Sequence, residues 1–404
     1  MKNPFMVFDL YYLSMILELP RGTEHFGAVR FHDVQRVYEL DSGMRKFPTK
    51  AREAVATISS DDIRKINQKM AIIIPIKDEK LKLLEGVLSG IPHDCHVIVV
   101  SGSQRSPVDR FMMEVQMLKQ FNHFVEDEIL LIHQQDPGLA EAFKSVGFDS
   151  ILNKEGLVRS GKAEAMYTGI LLAKMLGKDY VGFVDADNYV PGAVHEYVEI
   201  YAAGFLLAES PYSMVRVSWV YKPRVVEDKL FFAKWGRVSE VTNSNLNRLV
   251  ESYTGFGTEV IKTGNSGEHA MSMQLAELLC YASGFAVEPY EIINIIEQAG
   301  GINPAPHQIV SSGVDIFQIE SRNPHLHEEK GDEHVTQMLL SSLSAIYYSP
   351  ICPNNIKDSI IETCKSQGLE MEKELVKIKP PLEVNFNNFI EALKQKSQTL
   401  TELK

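Results

Sequence analysis

Between residues 70 and 188 the chain alternates short, β-branched apolar runs with longer amphipathic ones. Residues 71–76, 97–100, 129–132 and 180–184 have the length and composition of buried strands. Residues 77–88, 108–121 and 163–176 carry helical periodicity. Such alternation predicts an α/β fold with a mostly parallel sheet covered on both faces. Upstream, residues 33–40 and 60–67 read as helices, the second opening on a Ser-Asp-Asp cap. Beyond Pro191 the alternation weakens. Residues 214–221 predict a strand, 270–278 a helix, and 302–332 a long polar loop rich in Pro, His and Gly. From His334 onward the pattern is helical, broken at Pro350 to Pro353 and at Lys379-Pro380-Pro381.

Parallel sheets bind ligands beyond the carboxyl ends of their strands. The polar groups expected there are Lys77, Glu79, Ser101, Gln134, Gln135, Asp185 and Asp187, which would line one crevice. Asp185 and Asp187 close the fourth apolar run, and because side chains alternate along a strand they should point the same way. Paired carboxylates can hold a divalent cation, and the cation a diphosphate. The triplet alone is weak, because a chain of this length carries about one Asp-x-Asp by chance. Gly156 to Lys162 nearly spells a phosphate loop, but Ala163 stands where that motif needs Ser or Thr. The same residues fit the start of a helix whose free amides and Lys162 face an anion.

Composition narrows the function. Of 404 residues, 45% are hydrophobic and 23% charged, and 41 basic against 53 acidic residues leave a net charge of -12. No basic run or basic-aromatic stripe suggests nucleic acid as a partner. An acidic protein acting on anions must concentrate its cations locally, which draws attention to Lys162 and Arg237 in Gly-containing segments. Cys95, Cys280, Cys352 and Cys364 are scattered without metal-ligand spacing, which predicts thiols in a reducing compartment. Asp9 and Glu18 interrupt the apolar start, and no uncharged apolar run reaches membrane length. The expectation is a cytoplasmic protein with no membrane partner.

Ile73-Ile74-Pro75 with Glu79, then Val99-Val100-Ser101, Gly161-Lys162 and Asp185-Ala186-Asp187, resembles the GT-A glycosyltransferases in order. More narrowly, the chain resembles the mannosyl-3-phosphoglycerate synthase family. The likeness lies in Phe26-Gly27-Ala28-Val29-Arg30, Pro75-Ile76-Lys77-Asp78-Glu79, Arg159-Ser160-Gly161-Lys162-Ala163-Glu164 and Trp235-Gly236-Arg237-Val238-Ser239-Glu240. It continues in Thr254-Gly255-Phe256-Gly257-Thr258-Glu259, Thr263-Gly264-Asn265-Ser266-Gly267-Glu268-His269 and Asn323-Pro324-His325-Leu326-His327-Glu328.

The resemblance implies a GT-A, Rossmann-like fold with a helical C-terminal region and a homodimer. It divides the chain into 1–65 packing on the core, a nucleotide-sugar half at 66–240, an acceptor half at 241–333 and a helical region at 334–404. The implied reaction moves mannose from GDP-mannose to 3-phosphoglycerate with retention at the anomeric carbon. Pro75, Lys77, Glu79 and Ser101 would surround base and ribose, Gln135 would belong to the same nucleotide-binding set, and Lys162 would meet the diphosphate. Asp185 would touch ribose or sugar, and Asp187 would hold the metal. Arg237 is the candidate for the acceptor's phosphate or carboxylate, which a guanidinium matches at two points. Thr258 and Asn265 sit in Gly-rich loops that either bring amides to the acceptor or only shape turns. Glu268 stands where inverting relatives carry a base and would here position hydroxyls.

His325 and His327 share one face of an extended segment, and His327 is preferred as a metal ligand over His325, with His307 and His334 behind them. Carboxylates suit magnesium; a His ligand makes manganese, cobalt or zinc equally fitting. Three alternatives use the same residues: a GT-A transferase with another nucleotide sugar or acceptor, such as a glucosyl-3-phosphoglycerate synthase; a nucleotidyltransferase; and a non-catalytic sensor of sugar nucleotides.

Overall fold

The computed structural model describes residues 13–40, 43–44, 55–219, 222–226, 229–233, 237–303, 307–326 and 331–403. Its centre is the run of apolar strands seen in the pattern. Met70–Ile76 pairs in parallel with His96–Ser101 on one side and Tyr180–Phe183 on the other, and Ile129–His133 extends the parallel set. Alternate side chains of these strands serve different layers. Ala71, Ile73, Ile98 and Val100 pack under the helices Pro137–Ser145 and Lys162–Met175. Ile72, Ile74, Val97 and Val99 pack under Leu81–Gly90, Arg110–Val125 and Pro191–Leu207. Burial on both faces is why these strands read as continuous apolar runs. Past Tyr180–Phe183 the sheet continues through His269–Ser272, Ser213–Ser218 and Val314–Glu320 to the N-terminal strands Gln35–Leu40, Leu13–Glu18 and Val55–Ser59. His269–Ser272 is antiparallel to both neighbours, and the Ser213–Ser218 pairing with Val314–Glu320 is parallel again. The α/β class, the mostly parallel centre and the helical C-terminal region (Asp332–Tyr347, Asn354–Ser366, Phe386–Lys396) are as expected.

Four local expectations give way. Gln35–Leu40 is a strand, not part of a helix, because Leu13–Glu18 supplies its hydrogen bonds and its apolar residues face a core. Ala270 and Met271 lie in a strand, filling the slot between two others, and only Met273–Leu278 is helical. The stretch 302–332 is no continuous loop: it contains the helix His307–Ser312 and the buried strand Val314–Glu320. The second core helix starts at Leu81 and not at Lys77, because Asp78 takes a left-handed backbone (φ 60°) that interrupts it. By contrast the helix Ser60–Asn67 forms as expected, although Ser59 and not Ser60 caps it, accepting from the Asp62 amide.

The far edge of the sheet is closed by the C-terminal strand Thr401–Leu403 on Ile129–His133. Asp136 locks it there. One carboxylate oxygen takes the Gly138 and Leu139 amides; the other takes Ser397 Oγ, the Gln398 and Thr399 amides and Thr399 Oγ1, all within 3.1 Å. Burial works against the Asp136 charge, but the Thr399 and Ser397 hydroxyls and the amides outweigh it and hold its pKa below the ordinary value. A depressed folded-state pKa adds stability that is fully present above the unfolded value of about 3.9 and is lost as pH falls below it. Asp136→Ala should therefore cost roughly 2–5 kcal/mol at neutral pH, since bonds to a charge are worth about 1.5–3 kcal/mol each and do not sum. Urea denaturation at pH 7 and pH 3 measures this, and the gap between variant and wild type should narrow at pH 3.

Candidate active site

The fold brings the carboxyl ends of the parallel strands to one side, and the Gly161-Lys162 helix start meets them. Gln134, just past Ile129–His133, donates to the carbonyls of Arg159 and Gly161 at 2.8 Å each, fixing the turn before Lys162. Gly161 is needed for close approach: a Cβ there would lie 2.3 Å from a Glu164 carboxylate oxygen. Glu164 in turn is held by Arg159 Nε at 2.9 Å and by the Ser283 hydroxyl. Lys162 opens the helix Lys162–Met175 and reaches Asp185 at 2.5 Å and Glu288 at 2.8 Å. Burial opposes its charge, yet Asp185 and Glu288 win and hold its pKa above the ordinary lysine value.

The strand carrying the Asp-x-Asp ends at Phe183, so Asp187 is placed by a turn and not by strand alternation. Asn188 braces that turn, donating 2.9 Å bonds to the Asp185 carbonyl and to Glu268 Oε1. Glu268 is buried, and burial together with the charge of Asp185 pushes its pKa up to about 8. Gly267 passes directly over the pair: a Cβ there would lie 2.5 Å from Asp185 Oδ2 and 3.1 Å from Lys162 Nζ. Lys162, Asp185, Glu268 and the Asp187 turn thus lie together, with Glu288 added from the helix Val287–Ala299.

What holds the gathering together is fully buried. Arg216 on Ser213–Ser218 donates to the carbonyls of Thr263 (2.9 Å), Gly264 (3.3 Å) and Glu288 (3.1 Å), and pairs with Glu291 at 3.3 Å. His269 Nε2 meets the same Glu291 at 3.0 Å. One guanidinium therefore ties the glycine-rich loop to the helix bearing Glu288. The late His segment also arrives beside the Asp-x-Asp turn: the Tyr189 amide donates to the Leu326 carbonyl at 3.0 Å. Glu196 anchors this segment through the amides of Arg322 (2.6 Å) and Asn323 (2.8 Å). His325 is buried, its ring stacked 4.4 Å from Trp219. His327 lies outside the described residues. Arg237 begins the helix Arg237–Thr254, and its side chain is likewise outside them.

Other expected residues lie further back. Pro75 and Glu79 are half-buried and Lys77 exposed at the end of the first strand. Ser101 is wholly buried, and its hydroxyl donates to Glu114 at 2.6 Å, so it stands behind the crevice surface. Gln135 is half-buried, its amide on His133 Nδ1 at 3.2 Å. Thr258 donates to Glu24 on the strand Thr23–Phe26 at 2.6 Å, and Asn265 to Ser342 at 2.7 Å. His307 opens a short helix, and His334 stands edge-on to Phe285. Sequence reading missed Glu288, Arg216, Glu291, Asn188 and Glu196. Only Asn188 carried a local signal, being next in line after the Asp-x-Asp.

The site sets one ammonium against the carboxyl groups of Asp185, Asp187, Glu268 and Glu288. A diphosphate entering this acidic pocket needs a divalent cation beside Lys162 to offset the charge. Among the described residues no three His, Cys, Asp or Glu side chains form a ready-made metal cage. The donor set fits a cation that takes part of its shell from the ligand itself.

A family model for mannosyl-3-phosphoglycerate synthase matches residues 19–393. The mannosyl-3-phosphoglycerate synthase of Pyrococcus furiosus is 44% identical over 392 residues, 96% of this chain and 99% of that protein. The synthase of the same name from Aeropyrum pernix is 39% identical over 359 residues, 89% and 92% of the two chains. Among solved structures, mannosyl-3-phosphoglycerate synthase from Rubrobacter xylanophilus aligns at TM-score 0.47 and 13% identity, over 80% and 92% of the chains. Glucosyl-3-phosphoglycerate synthase from Mycobacterium tuberculosis, with Mn2+, UDP-glucose and glycerol 3-phosphate, aligns at 0.48 and 16%, over 80% and 93%. These structural likenesses carry no weight for residue roles; the sequence matches do, and by them this chain belongs to the mannosyl-3-phosphoglycerate synthase family of glycosyltransferases.

Proposed function

We propose that the protein transfers mannose from GDP-mannose to 3-phosphoglycerate with retention of configuration, giving mannosyl-3-phosphoglycerate for mannosylglycerate synthesis. The observation that carries this reading is the 44% identity to a synthase of that name over 96% of the chain. The acidic pocket around a single helix-start lysine supports it, because that arrangement suits a metal-bound diphosphate.

In this reading the nucleotide lies across the ends of Met70–Ile76 and His96–Ser101, with its diphosphate toward Lys162. Asp187, with His327 or His325, would hold the cation, which as a Lewis acid offsets charge developing on the leaving diphosphate. The acceptor hydroxyl oxygen bonds to the anomeric carbon on the face from which the carbon–phosphate-oxygen bond breaks, and its proton passes to the departing phosphate. No side chain then has to act as base. Lys162 stabilises the departing diphosphate, and Asp185 holds Lys162 and faces ribose or sugar. Glu268, held by the Asn188 side-chain amide, positions an acceptor or sugar hydroxyl.

The test is to incubate the protein with GDP-mannose, 3-phosphoglycerate and manganese and follow GDP. Release should need both substrates; mannose 1-phosphate in place of GDP, left when the guanylyl group moves to the acceptor phosphate, would point to a nucleotidyltransferase, and no turnover to a sensor. Arg237 is proposed for the acceptor's anionic end. Arg237→Ala should raise KM for 3-phosphoglycerate about ten- to a hundredfold, the worth of a bidentate charge-assisted contact. KM for GDP-mannose should move little; a donor-selective defect would put Arg237 on the other side of the site.

A further inference from the structure

Glu114 is a fully buried carboxylate with no part in the chemistry above. It sits one turn into the helix Arg110–Val125, whose start Asp109 caps through the Met112 amide. Each of its oxygens accepts one hydroxyl: Ser101 Oγ at 2.6 Å and Ser103 Oγ at 2.6 Å. Burying an acid against two serines is costly, and an apolar residue would serve helix packing better. The arrangement therefore calls for another explanation, and the contacts beyond the serines supply one.

Ser103 Oγ gives its proton to Glu114 and accepts from the Asp78 amide at 2.7 Å. Asp78 is the non-glycine residue with φ 60°, a conformation that needs outside support. Its carboxylate takes the Gln104 amide at 3.0 Å, and Arg110, one turn before Glu114, donates to the Glu79 carbonyl at 2.6 Å. Ser101 Oγ likewise accepts from the Ser103 amide at 3.2 Å. Every hydroxyl direction in this relay is set by the acceptor-only carboxylate at its end. Ser101, Ser103 and Glu114 are each no more than 1% exposed, so none touches a ligand. What they fix is the path of residues 77–79, where Lys77 is exposed and Glu79 half-buried just past the end of Met70–Ile76.

We propose that Glu114 is a positioning residue for nucleotide recognition: through Ser101 and Ser103 it holds the Lys77-Asp78-Glu79 turn in the shape that receives the nucleoside of the donor. This rests on the placement of the nucleotide proposed above. In Glu114→Gln one oxygen becomes an amide donor, so one serine must turn its hydroxyl away and the relay to Asp78 weakens.

Calorimetry of GDP binding in manganese, with steady-state kinetics, tests this. Glu114→Gln should weaken GDP binding and raise KM for GDP-mannose about tenfold, the worth of one disrupted buried hydrogen bond. The kcat at saturating donor and KM for 3-phosphoglycerate should stay within about twofold. Ser103→Ala, which removes only the hydroxyl beneath Asp78, should reproduce the donor-selective defect and keeps the test open if Glu114→Gln fails to fold. Wild-type GDP affinity in Ser103→Ala, or equal losses in donor KM, acceptor KM and kcat, would overturn the proposal. If the wild-type protein itself binds no GDP, the nucleotide placement fails instead, a separate and recognisable outcome.

Discussion

Asp187→Ala should lower GDP release from GDP-mannose and 3-phosphoglycerate by about a hundred- to a thousandfold, the range found when a group stabilising transition-state charge is removed. The pocket already holds more carboxyl groups than cations, and Asp185 is committed to Lys162 at 2.5 Å. Asp187 is buried in the turn that meets the late His segment where the Tyr189 amide donates to the Leu326 carbonyl. Removing it would delete the metal ligand proposed above while touching no strand of the core. Excess manganese should not restore the variant. His327→Ala, by contrast, should be partly rescued by manganese, with His325→Ala milder. Near-wild-type turnover of Asp187→Ala at ordinary metal concentration would remove it from the site; unchanged metal affinity in His327→Ala would do the same for His327.

Lys162→Ala carries the second large effect. The ammonium lies between Asp185 and Glu288, and its removal leaves two partly buried carboxylates facing each other without a counter-charge. Donor affinity and turnover should therefore fall together, kcat/KM for GDP-mannose dropping by about a hundredfold or more. Removing one member of a buried ionic group also costs stability, on the order of 3 kcal/mol. Glu288→Gln in the Lys162→Ala background separates the two effects. It should recover much of the melting temperature by relieving the repulsion, but none of the activity. Recovery of activity in the double variant would show that Lys162 acts only as a structural counter-ion.

Much of this architecture is legible in the chain. Residues 71–76, 97–100, 129–132 and 180–184 are apolar on both faces because helices cover both sides of the sheet they lie in. The glycine-lysine helix start and the Asp-x-Asp are local in sequence, as are the motifs shared with the synthase family, so they could be read without a structure. Where reading failed, local pattern competed with a distant partner. Ala270 and Met271 favour a helix, yet lie in a strand because Tyr180–Phe183 and Ser213–Ser218 leave a vacant slot of hydrogen bonds between them. Residues 35–40 and 314–320 became strands for the same reason, each completed by a segment far away in the chain.

The site divides in the same way. Sequence by itself determined which residues carry charge, that a helix opens at Gly161-Lys162 and where in the chain the paired acids stand. Only tertiary structure decided that Glu288, more than a hundred positions from Lys162, closes on it at 2.8 Å. It alone decided that Arg216 fastens the Gly264 loop to the helix of Glu288 and Glu291, and that Ser101 turns inward to Glu114. Periodicity records the face a residue presents to its own element, whereas these contacts depend on which elements the fold sets side by side. A buried ion pair adds no local repeat to the sequence; it becomes visible once the two chain segments that share it are placed together.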